Sequence, residues 1–320
     1  MIITILSGGV GGARFARGVR EHLRREHPTA ELRVVVNTGD DMWLAGLRIT
    51  PDLDSVMYTL AGANDEERGW GRIGESERVS AELREYGVGW PWFTLGDLDL
   101  GTHIARTSLL RDGLTLSEAT ARITSRWDLG ATLIPVTDSE VETWVVTDSG
   151  SMHFQEWWTR HRAILPALDF EQRGAADAVA TDAVFDAIRE ADVILVAPSN
   201  PVVSIGTILG IPGVQTALGA AEAPVVGVSP IIGGSVVRGM ADACLTAIGV
   251  ETSAQAVAEH YGARFDGGLL DGWLVDSTDT AEVAGIATRA VPLWMTDLET
   301  SAQLAADALS LAETVRAARP

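Results

Sequence analysis

The sequence contains no lysine, because all 24 residues counted as lysine or arginine among its 320 positions are arginine. Without lysine the protein cannot form a Schiff base, attach pyridoxal phosphate or build a Walker loop. A single cysteine, Cys244, excludes an internal disulfide, as is typical of a reducing compartment. We predict that Cys244 is a buried small hydrophobic residue. No stretch approaches the roughly 20 apolar residues of a membrane-spanning helix, so we expect no membrane partner.

Acidic residues outnumber basic ones by 44 to 24, and the formal net charge is -20. Such a charge repels phosphodiester polymers, so we expect no nucleic-acid partner. It remains compatible with a small anionic substrate that a few arginines or a metal ion hold. The first six residues lack a basic segment and lead directly into glycines, which favours a core strand over a signal peptide. Together these features predict a globular cytoplasmic protein.

Short apolar runs alternate with helical periodicity, which predicts an α/β fold with a mostly parallel, doubly wound, Rossmann-like sheet. Strands are predicted at residues 2–6, 32–36, 131–136, 143–147, 192–197, 224–228, 272–275 and 290–294. Helices are predicted at residues 12–26, 239–248, 254–261 and 298–318, and Thr115 with Glu118 fits a capping box that opens another. Residues 151–180 are polar and tryptophan-containing, and we interpret them as a small helical insertion. The Rossmann-like core then comprises residues 1–150 and 181–320.

A glycine-rich loop follows the first predicted strand. Four glycines in five positions exceed the needs of a tight turn, and backbone N–H groups at a helix start can bind phosphate. Arg14 occupies the third glycine slot of a dinucleotide fingerprint, and no Walker lysine follows, so the loop matches neither common class. The predicted phosphate-binding residues are Gly8, Gly9, Val10, Gly11, Gly12 and Arg14.

Carboxylates follow the second predicted strand, at the sheet edge where parallel sheets bind ligands. Asp40 and Asp41 end that strand, and Asp54 lies near the start of a helix in which Asp52 is interpreted as the N-cap. Carboxylates beside a phosphate site are the ligands that magnesium prefers. We therefore predict that at least two of Asp40, Asp41 and Asp54 bind Mg²⁺.

Three further segments carry polar residues at predicted strand or helix ends. Residues 95–106 bring Asp97, Thr102, His103 and Arg106 to one loop-to-helix junction, where a site or ordinary capping and ion pairing fit equally well. Two loops after later strands suit recognition of a base or sugar, although each fits an ordinary connection; they contain Ser199, Asn200, Ser229, Gly233 and Gly234. Trp90–Phe93 is interpreted as core or lid packing. The histidines without visible partners are predicted to lie on the surface: His22, His27, His153, His161 and His260.

In this order, six segments resemble the 2-phospho-L-lactate transferases, the CofD enzymes, called FbiA in actinobacteria. They are GGVGGAR at 8–14, Gly39–Asp41 with Gly46 and Leu47, residues 51–60, 95–106, 198–201 and 229–234. The resemblance covers at least residues 1–235. It implies a Rossmann-like core with a helical insertion, a homodimer and a magnesium requirement.

The resemblance also implies the reaction. A guanosine diphosphate-linked three-carbon acid donates its phosphorylated acid to the ribityl hydroxyl of the deazaflavin FO, GMP leaves, and a precursor of coenzyme F-420 forms. The glycine loop and Arg14 would hold the diphosphate, while Asp40, Asp41 and Asp54 would bind magnesium, one of them accepting the hydroxyl proton. Asp97, Thr102, His103 and Arg106 would line the acceptor site. Ser199, Asn200 and the loop of Ser229, Gly233 and Gly234 would contact the nucleotide or FO.

Two alternatives remain open. A nucleotide-sugar-binding regulator of the YvcK-like type shares the glycine loop and an acidic turn, but it would release no GMP. An NAD-linked oxidoreductase is disfavoured by Arg14 and by Asn37, which stands where a ribose-binding acid is expected. Family members use either a phospholactate or a phosphoenolpyruvate donor. The arginine-only, alanine-rich composition indicates a GC-rich actinobacterial genome and favours the enolpyruvate donor.

Overall fold

The computed structural model describes residues 1–318. The first half of the chain contains β1 (Ile2–Ser7), α1 (Gly9–Glu26), β2 (Glu31–Val36), β3 (Met42–Leu44), β4 (Leu47–Ile49), α2 (Pro51–Ala61), α3 (Arg78–Glu85), α4 (Asp97–Arg111), α5 (Leu116–Thr124), β5 (Thr132–Pro135), β6 (Glu142–Thr147) and β7 (Gly150–His153). The second half contains β8 (Asp169–Arg173), α6 (Asp182–Arg189), β9 (Val193–Val196), α7 (Gly206–Gly210), α8 (Val214–Ala220), β10 (Val225–Val228), β11 (Ile231–Ile232), β12 (Ser235–Val236), α9 (Ala241–Ala247), α10 (Ala254–Tyr261), β13 (Gly272–Asp276), β14 (Ala287–Val291) and α11 (Leu298–Ala318).

A seven-stranded sheet forms the core, in the order β14-β13-β10-β9-β1-β2-β5. Every neighbouring pair is parallel, which confirms the predicted α/β fold with a parallel sheet. From β1 the chain builds outward through β2 and β5, and then returns to β9 on the other side of β1. The winding direction therefore reverses between β1 and β9. Open parallel sheets commonly bind ligands in a crevice beyond the strand ends at such a reversal.

Helices cover both faces of this sheet, because side chains along each buried strand alternate between two hydrophobic clusters. Ile5 packs with α1, α2 and α11, whereas its neighbour Leu6 packs with α6, α8 and α10. Strands buried on both faces are typical of parallel sheets and explain the nearly continuous apolar runs in the sequence. Cys244 is fully buried, as predicted. The capping box of Thr115 and Glu118 is also confirmed, with both of its hydrogen bonds present.

Residues 151–180 differ from the predicted helical insertion. They contribute β8 and most of β7, which pair antiparallel with β6 in a separate three-stranded sheet. Helical structure here is limited to a π-helical turn at Glu156–Arg160 and a 3₁₀ turn at Ala175–Asp177. The burial of β6 alternates residue by residue, as in a sheet that covers the core on one face only. The sequence does not show this alternation, because the buried positions of β6 include Thr143 and Thr147 and the less buried ones include Trp144 and Val146.

No single helix within residues 1–318 has the length and apolar composition needed to cross a membrane. One bent pair, Pro201–Gly210 with Val214–Ala220, meets those criteria only when the two are joined across an angle of 83°.

Candidate active site

The glycine loop forms the first turn of α1, with Gly8 as N-cap. It lies against the loop after β9, where the Ser199 hydroxyl accepts a hydrogen bond from Gly8 N (3.0 Å) and donates one to Gly8 O (2.7 Å). A Cβ atom on Gly11 would lie 2.7 Å from the carbonyl oxygen of Pro198. The loop therefore needs glycine partly for close packing at the reversal point. The first N–H groups of the helix also face this crevice without partners in their own helix.

The sequence suggested that Asp52 is the N-cap of α2, but Thr50 occupies that position. Its carboxylate lies instead at the start of α1, where it accepts hydrogen bonds from the Gly9 N–H and from Asn37 Nδ2 (2.9 Å). Burial raises the pKa of Asp52 to about 6, although both hydrogen bonds oppose the shift. A carboxylate at a helix N-terminus occupies the kind of position that favours an anion.

Asp40 and Asp41 are buried beside Asp52, and each has one carboxylate oxygen without a hydrogen-bond partner among residues 1–318. Burial raises the pKa of Asp40 well above its usual value, and the charges of Asp52 and Asp41 raise it further. Burial also raises the pKa of Asp41, against the attraction of two arginines. The nearer is Arg48, whose Nη2 lies 3.4 Å from Asp41 Oδ2.

Asp54 has a different environment. Its Oδ1 forms a short ion pair with Arg106, and its Oδ2 accepts a hydrogen bond from the Thr50 hydroxyl (3.1 Å). His103 Nδ1 lies 3.5 Å from the same Oδ2. The structure thus brings Asp54, His103 and Arg106 together, from helices that are far apart in sequence.

The four predicted site residues of α4 do not all lie in the same environment. Thr102, His103 and Arg106 are buried on the face toward α2, where Thr102 is hydrogen-bonded to the hydroxyl of Tyr58. Asp97 points elsewhere, because its carboxylate accepts hydrogen bonds from the amide and hydroxyl of Ser76. Asp97 therefore lies outside the cluster and is not the N-cap of α4, which is Gly96.

Asp99 and Tyr58 belong to the buried cluster but were not among the predicted site residues. Tyr58 donates a hydrogen bond to Asp99 Oδ1 (2.8 Å), which lies 3.4 Å from His103 Nε2. The spacing of Asp99 and His103, four residues apart on one helix, was the signal that could have found this pair. Asp54, Asp99 and His103 could by proximity hold a metal ion, since one ligand atom from each lies within 4.8 Å of the others.

In the two loops that follow β9 and β10, the predicted polar groups form hydrogen bonds with other groups of the protein. Asn200 Oδ1 accepts hydrogen bonds from the amides of Val202 and Val203, and the Ser229 hydroxyl bonds to Ile231. The amides of Gly233 and Gly234 both donate to the carboxylate of Asp279, at 2.8 and 3.1 Å. These groups stabilise the loops, so any contact with a ligand requires other atoms of the loops or an exchange of partners.

A positive region lies near the glycine loop. Arg14, on the first turns of α1, is close enough to Arg238 that their repulsion, after burial, lowers the pKa of Arg238. Arg238 donates only to the carbonyl oxygen of Gly69 (3.3 Å) and has no carboxylate partner within residues 1–318. Arg238 was not predicted as a site residue, because nothing in the local sequence pattern distinguishes this arginine from the others.

His153 was predicted to lie on the surface, but it is buried at the end of β7. Its ring lies beside the backbone of Asp41 and near the rings of Trp90 and Trp144, with centroids 5.8 and 6.1 Å away. Burial lowers the pKa of His153. Trp90 in turn stacks on Trp92 at 4.7 Å. The antiparallel sheet therefore contributes an aromatic wall next to the acidic residues.

Glycines at a helix start, buried carboxylates and a switch-point crevice define an α/β enzyme that handles phosphorylated molecules, and comparison with known families identifies a transferase. The family model described as 2-phospho-L-lactate transferase CofD matches residues 3–315. The chain therefore belongs to the CofD family, which confirms the resemblance inferred from its motifs.

Two named relatives cover the chain almost completely. A phosphoenolpyruvate transferase from Nocardia farcinica is 52% identical over 317 residues, which are 97% of this chain and 94% of the relative. One from Streptomyces coelicolor is 53% identical over 327 residues, 99% of this chain and 100% of the relative. A crystal structure of a UPF0052-family protein from Bacillus halodurans superposes with a TM-score of 0.61 at 14% identity, over 96% of this chain and 98% of that one. At that identity the likeness shows the fold alone.

Proposed function

We propose that the protein transfers a phosphoenolpyruvyl group from a guanosine diphosphate-linked donor to the ribityl hydroxyl of FO. GMP is released, and dehydro coenzyme F-420-0 forms. The observation that carries this proposal is the full-length identity of 52–53% to relatives named phosphoenolpyruvate transferase. A 2-phospho-L-lactyl donor is the alternative for the same site, since the two donors differ by the oxidation state of one carbon–carbon bond.

The donor's diphosphate is proposed to bind at the start of α1, on the N–H groups of Val10 and Gly11, since those of Gly8 and Gly9 already donate to Ser199 and Asp52. Arg14 and Arg238 would supply positive charge at this position. The net charge of the chain, -20, would otherwise repel an anionic diphosphate. Phosphoryl transfer depends mainly on positioning and on charge neutralisation, so backbone and guanidinium donors suffice without lysine.

The residues fit a magnesium ion, because Asp40 and Asp41 each present a buried oxygen without a partner. Magnesium held there would neutralise the diphosphate and orient it for in-line attack. Asp54 would join these ligands only through oxygens that already contact Arg106 and Thr50. One of these three carboxylates would accept the hydroxyl proton.

FO is proposed to bind between the acidic residues and the aromatic wall of Trp90, Trp144 and His153. A flat deazaflavin ring suits such a surface. His103 and Arg106 contact Asp54 and would act through it. Cytoplasmic location and a homodimer remain predictions, and size-exclusion chromatography with light scattering tests the second.

The decisive experiment incubates the protein with FO, magnesium and each guanylated donor in turn, and follows GMP and product by mass spectrometry. We expect dehydro coenzyme F-420-0 from the phosphoenolpyruvyl donor. If neither donor yields GMP, the transferase proposal fails for these substrates. Binding of a UDP-sugar without turnover would instead support a regulator of the YvcK-like type.

At residue level, Asp41→Ala should abolish turnover, because it removes an oxygen ligand. It also removes the carboxylate partner of the buried Arg48, so circular dichroism must show that the variant is folded. The matched control is Asp112→Ala, an exposed residue at the end of α4. Near-normal activity of Asp41→Ala at saturating magnesium would remove Asp41 from the metal site.

A further inference from the structure

A continuous row of buried polar side chains lies behind Asp54. It runs from Tyr58 through Asp99, His103 and Arg106 to Asp54, and every member is at least nine-tenths buried. The contacts along it are Tyr58 hydroxyl to Asp99 Oδ1 (2.8 Å), Asp99 Oδ1 to His103 Nε2 (3.4 Å), His103 Nδ1 to Arg106 Nη1 (3.1 Å) and Arg106 Nη2 to Asp54 Oδ1. Water is excluded from such a row, so each proton must lie on a specific atom.

The contact with Arg106 indicates which ring nitrogen of His103 accepts a hydrogen bond. A guanidinium group has only donors, so His103 Nδ1 must accept at this 3.1 Å contact. A neutral imidazole then carries its proton on Nε2, which faces Asp99. At 3.4 Å this contact is not a hydrogen bond in the structure, and Nε2 has no hydrogen-bond partner among residues 1–318. Hydrogen bonds in ligand-free sites are often long and shorten when the substrate binds.

The same arrangement argues against a metal ion at Asp54, Asp99 and His103. The Nη1 atom of Arg106 lies against the histidine nitrogen that faces Asp54, and Nη2 contacts the Asp54 carboxylate. A divalent cation placed among these groups would meet a permanently charged guanidinium at contact distance. Arg106 thus already supplies the positive charge that this cluster needs.

We propose that Asp99 is a positioning residue that fixes the Nε2–H tautomer of His103. In that tautomer Nδ1 accepts from Arg106, and the guanidinium is held in the orientation that contacts Asp54. Asp99 touches no reacting atom and acts only through His103 and Arg106. The consequence for turnover rests on the proposed transferase function, whereas the tautomer itself does not.

The tautomer is tested by ¹⁵N NMR on the full-length protein labelled at histidine. The sequence has 6 histidines, and the His103 signals are those that disappear in His103→Gln. We expect a protonated Nε2 and an unprotonated Nδ1 in the wild-type protein, and a loss of this preference in Asp99→Asn. A protonated Nδ1 in the wild-type protein, either as the other tautomer or as the imidazolium, overturns the proposal.

Turnover provides the second readout. Asp99→Asn should lower kcat by about 10- to 100-fold, as for other residues that orient a site ligand, while the KM of the donor changes by less than about twofold. The control Asp112→Asn makes the same chemical change at an exposed position of α4 and should keep wild-type kinetics. Wild-type kcat in a folded Asp99→Asn protein overturns the proposal, whatever the wild-type tautomer.

The two readouts separate the possible failures. If the wild-type protein transfers nothing, the proposed function fails, and the NMR result alone decides whether Asp99 sets the tautomer. If Asp99→Asn does not fold, as judged by circular dichroism, Tyr58→Phe replaces it. That variant leaves the Asp99 carboxylate and the aromatic ring in place, so the Nε2–H tautomer of His103 should persist. Loss of the Nε2–H tautomer in folded Tyr58→Phe would show that the Asp99 carboxylate does not fix it and would overturn the proposal.

Discussion

Asp52→Asn should stabilise the metal-free protein, even though Asp52 makes two good hydrogen bonds. The wild-type carboxylate is buried at the start of α1, close to Asp40, and no cation contributes to its environment. An asparagine side chain keeps one acceptor oxygen and has an amide nitrogen in place of the second carboxylate oxygen. The substitution therefore removes a buried negative charge and preserves shape, with the loss of one acceptor.

The size of the effect follows from the pKa of Asp52, which burial raises from 3.8 to about 6. At about 1.36 kcal/mol per pH unit, the ionised carboxylate costs the folded state about 3 kcal/mol, an order-of-magnitude figure. Because the folded state holds this proton more tightly than the unfolded state, wild-type stability falls as pH rises from about 4 through about 6. Asp52→Asn should thus be more stable by up to about 3 kcal/mol near pH 7.5 and match the wild type near pH 4.

The assay is urea unfolding of both proteins without magnesium, at about pH 4, 5, 6 and 7.5. Asp112→Asn, which changes an exposed carboxyl, should follow the wild-type profile at every pH. The reasoning is refuted if Asp52→Asn is less stable than the wild type near pH 7.5. It is also refuted if its advantage is the same near pH 4, since a gain independent of pH cannot come from ionisation.

Three further predictions concern the crevice. Gly11→Ala should lower the free energy of unfolding by about 1–3 kcal/mol, because its Cβ would lie 2.7 Å from a backbone carbonyl oxygen. Gly101→Ala, which meets nothing within 4 Å, should be neutral or stabilising by up to about 1 kcal/mol, and equal effects in urea unfolding would contradict the packing argument. Ser199→Ala loses both bonds to Gly8 and should cost about 1–3 kcal/mol in the same assay. Asp40→Asn should raise the Tm of the metal-free protein and abolish the rise that magnesium gives the wild type; a full magnesium response in differential scanning calorimetry would exclude Asp40 as a ligand.

Much of the fold could be predicted from sequence, because parallel strands buried on both faces leave continuous apolar runs. The runs of β1, β2, β9 and β10 are of this kind, and all four were found. The antiparallel sheet of β6, β7 and β8 was found only in part, because residues 143–147 were predicted as a strand of the core, whereas β7 and β8 were assigned to a helical insertion. The strands show no clear apolar alternation, since β8 has one apolar residue in five and Trp144 lies on the less buried face of β6.

The site was predictable where residues follow directly from a strand end, as Asp40 and Asp41 do. Site residues were not predictable where their membership depends on burial, because burial is produced by elements that are distant in sequence. His153 was assigned to the surface for lack of neighbours along the chain, yet β7 carries it to the backbone of Asp41. Asp52 fitted a cap by local pattern, yet the position of α2 directs it to the start of a different helix.

The buried carboxylates form two groups, Asp54 with Asp99 on the α4 side and Asp40 with Asp52 beside the glycine loop. The two groups differ in whether a positive side chain lies next to them. On the α4 side, Arg106 contacts Asp54, and Tyr58 and His103 face Asp99, so one guanidinium partly offsets the negative charge there. On the glycine-loop side, Asp40 and Asp52 are buried with no cation among the groups that set their pKa values. Burying like charges without a counter-charge is costly, and a fold retains such a cost mainly where a ligand relieves it. The missing cation is therefore expected beside Asp40, between the carboxylates and the start of α1, where it would meet an incoming diphosphate.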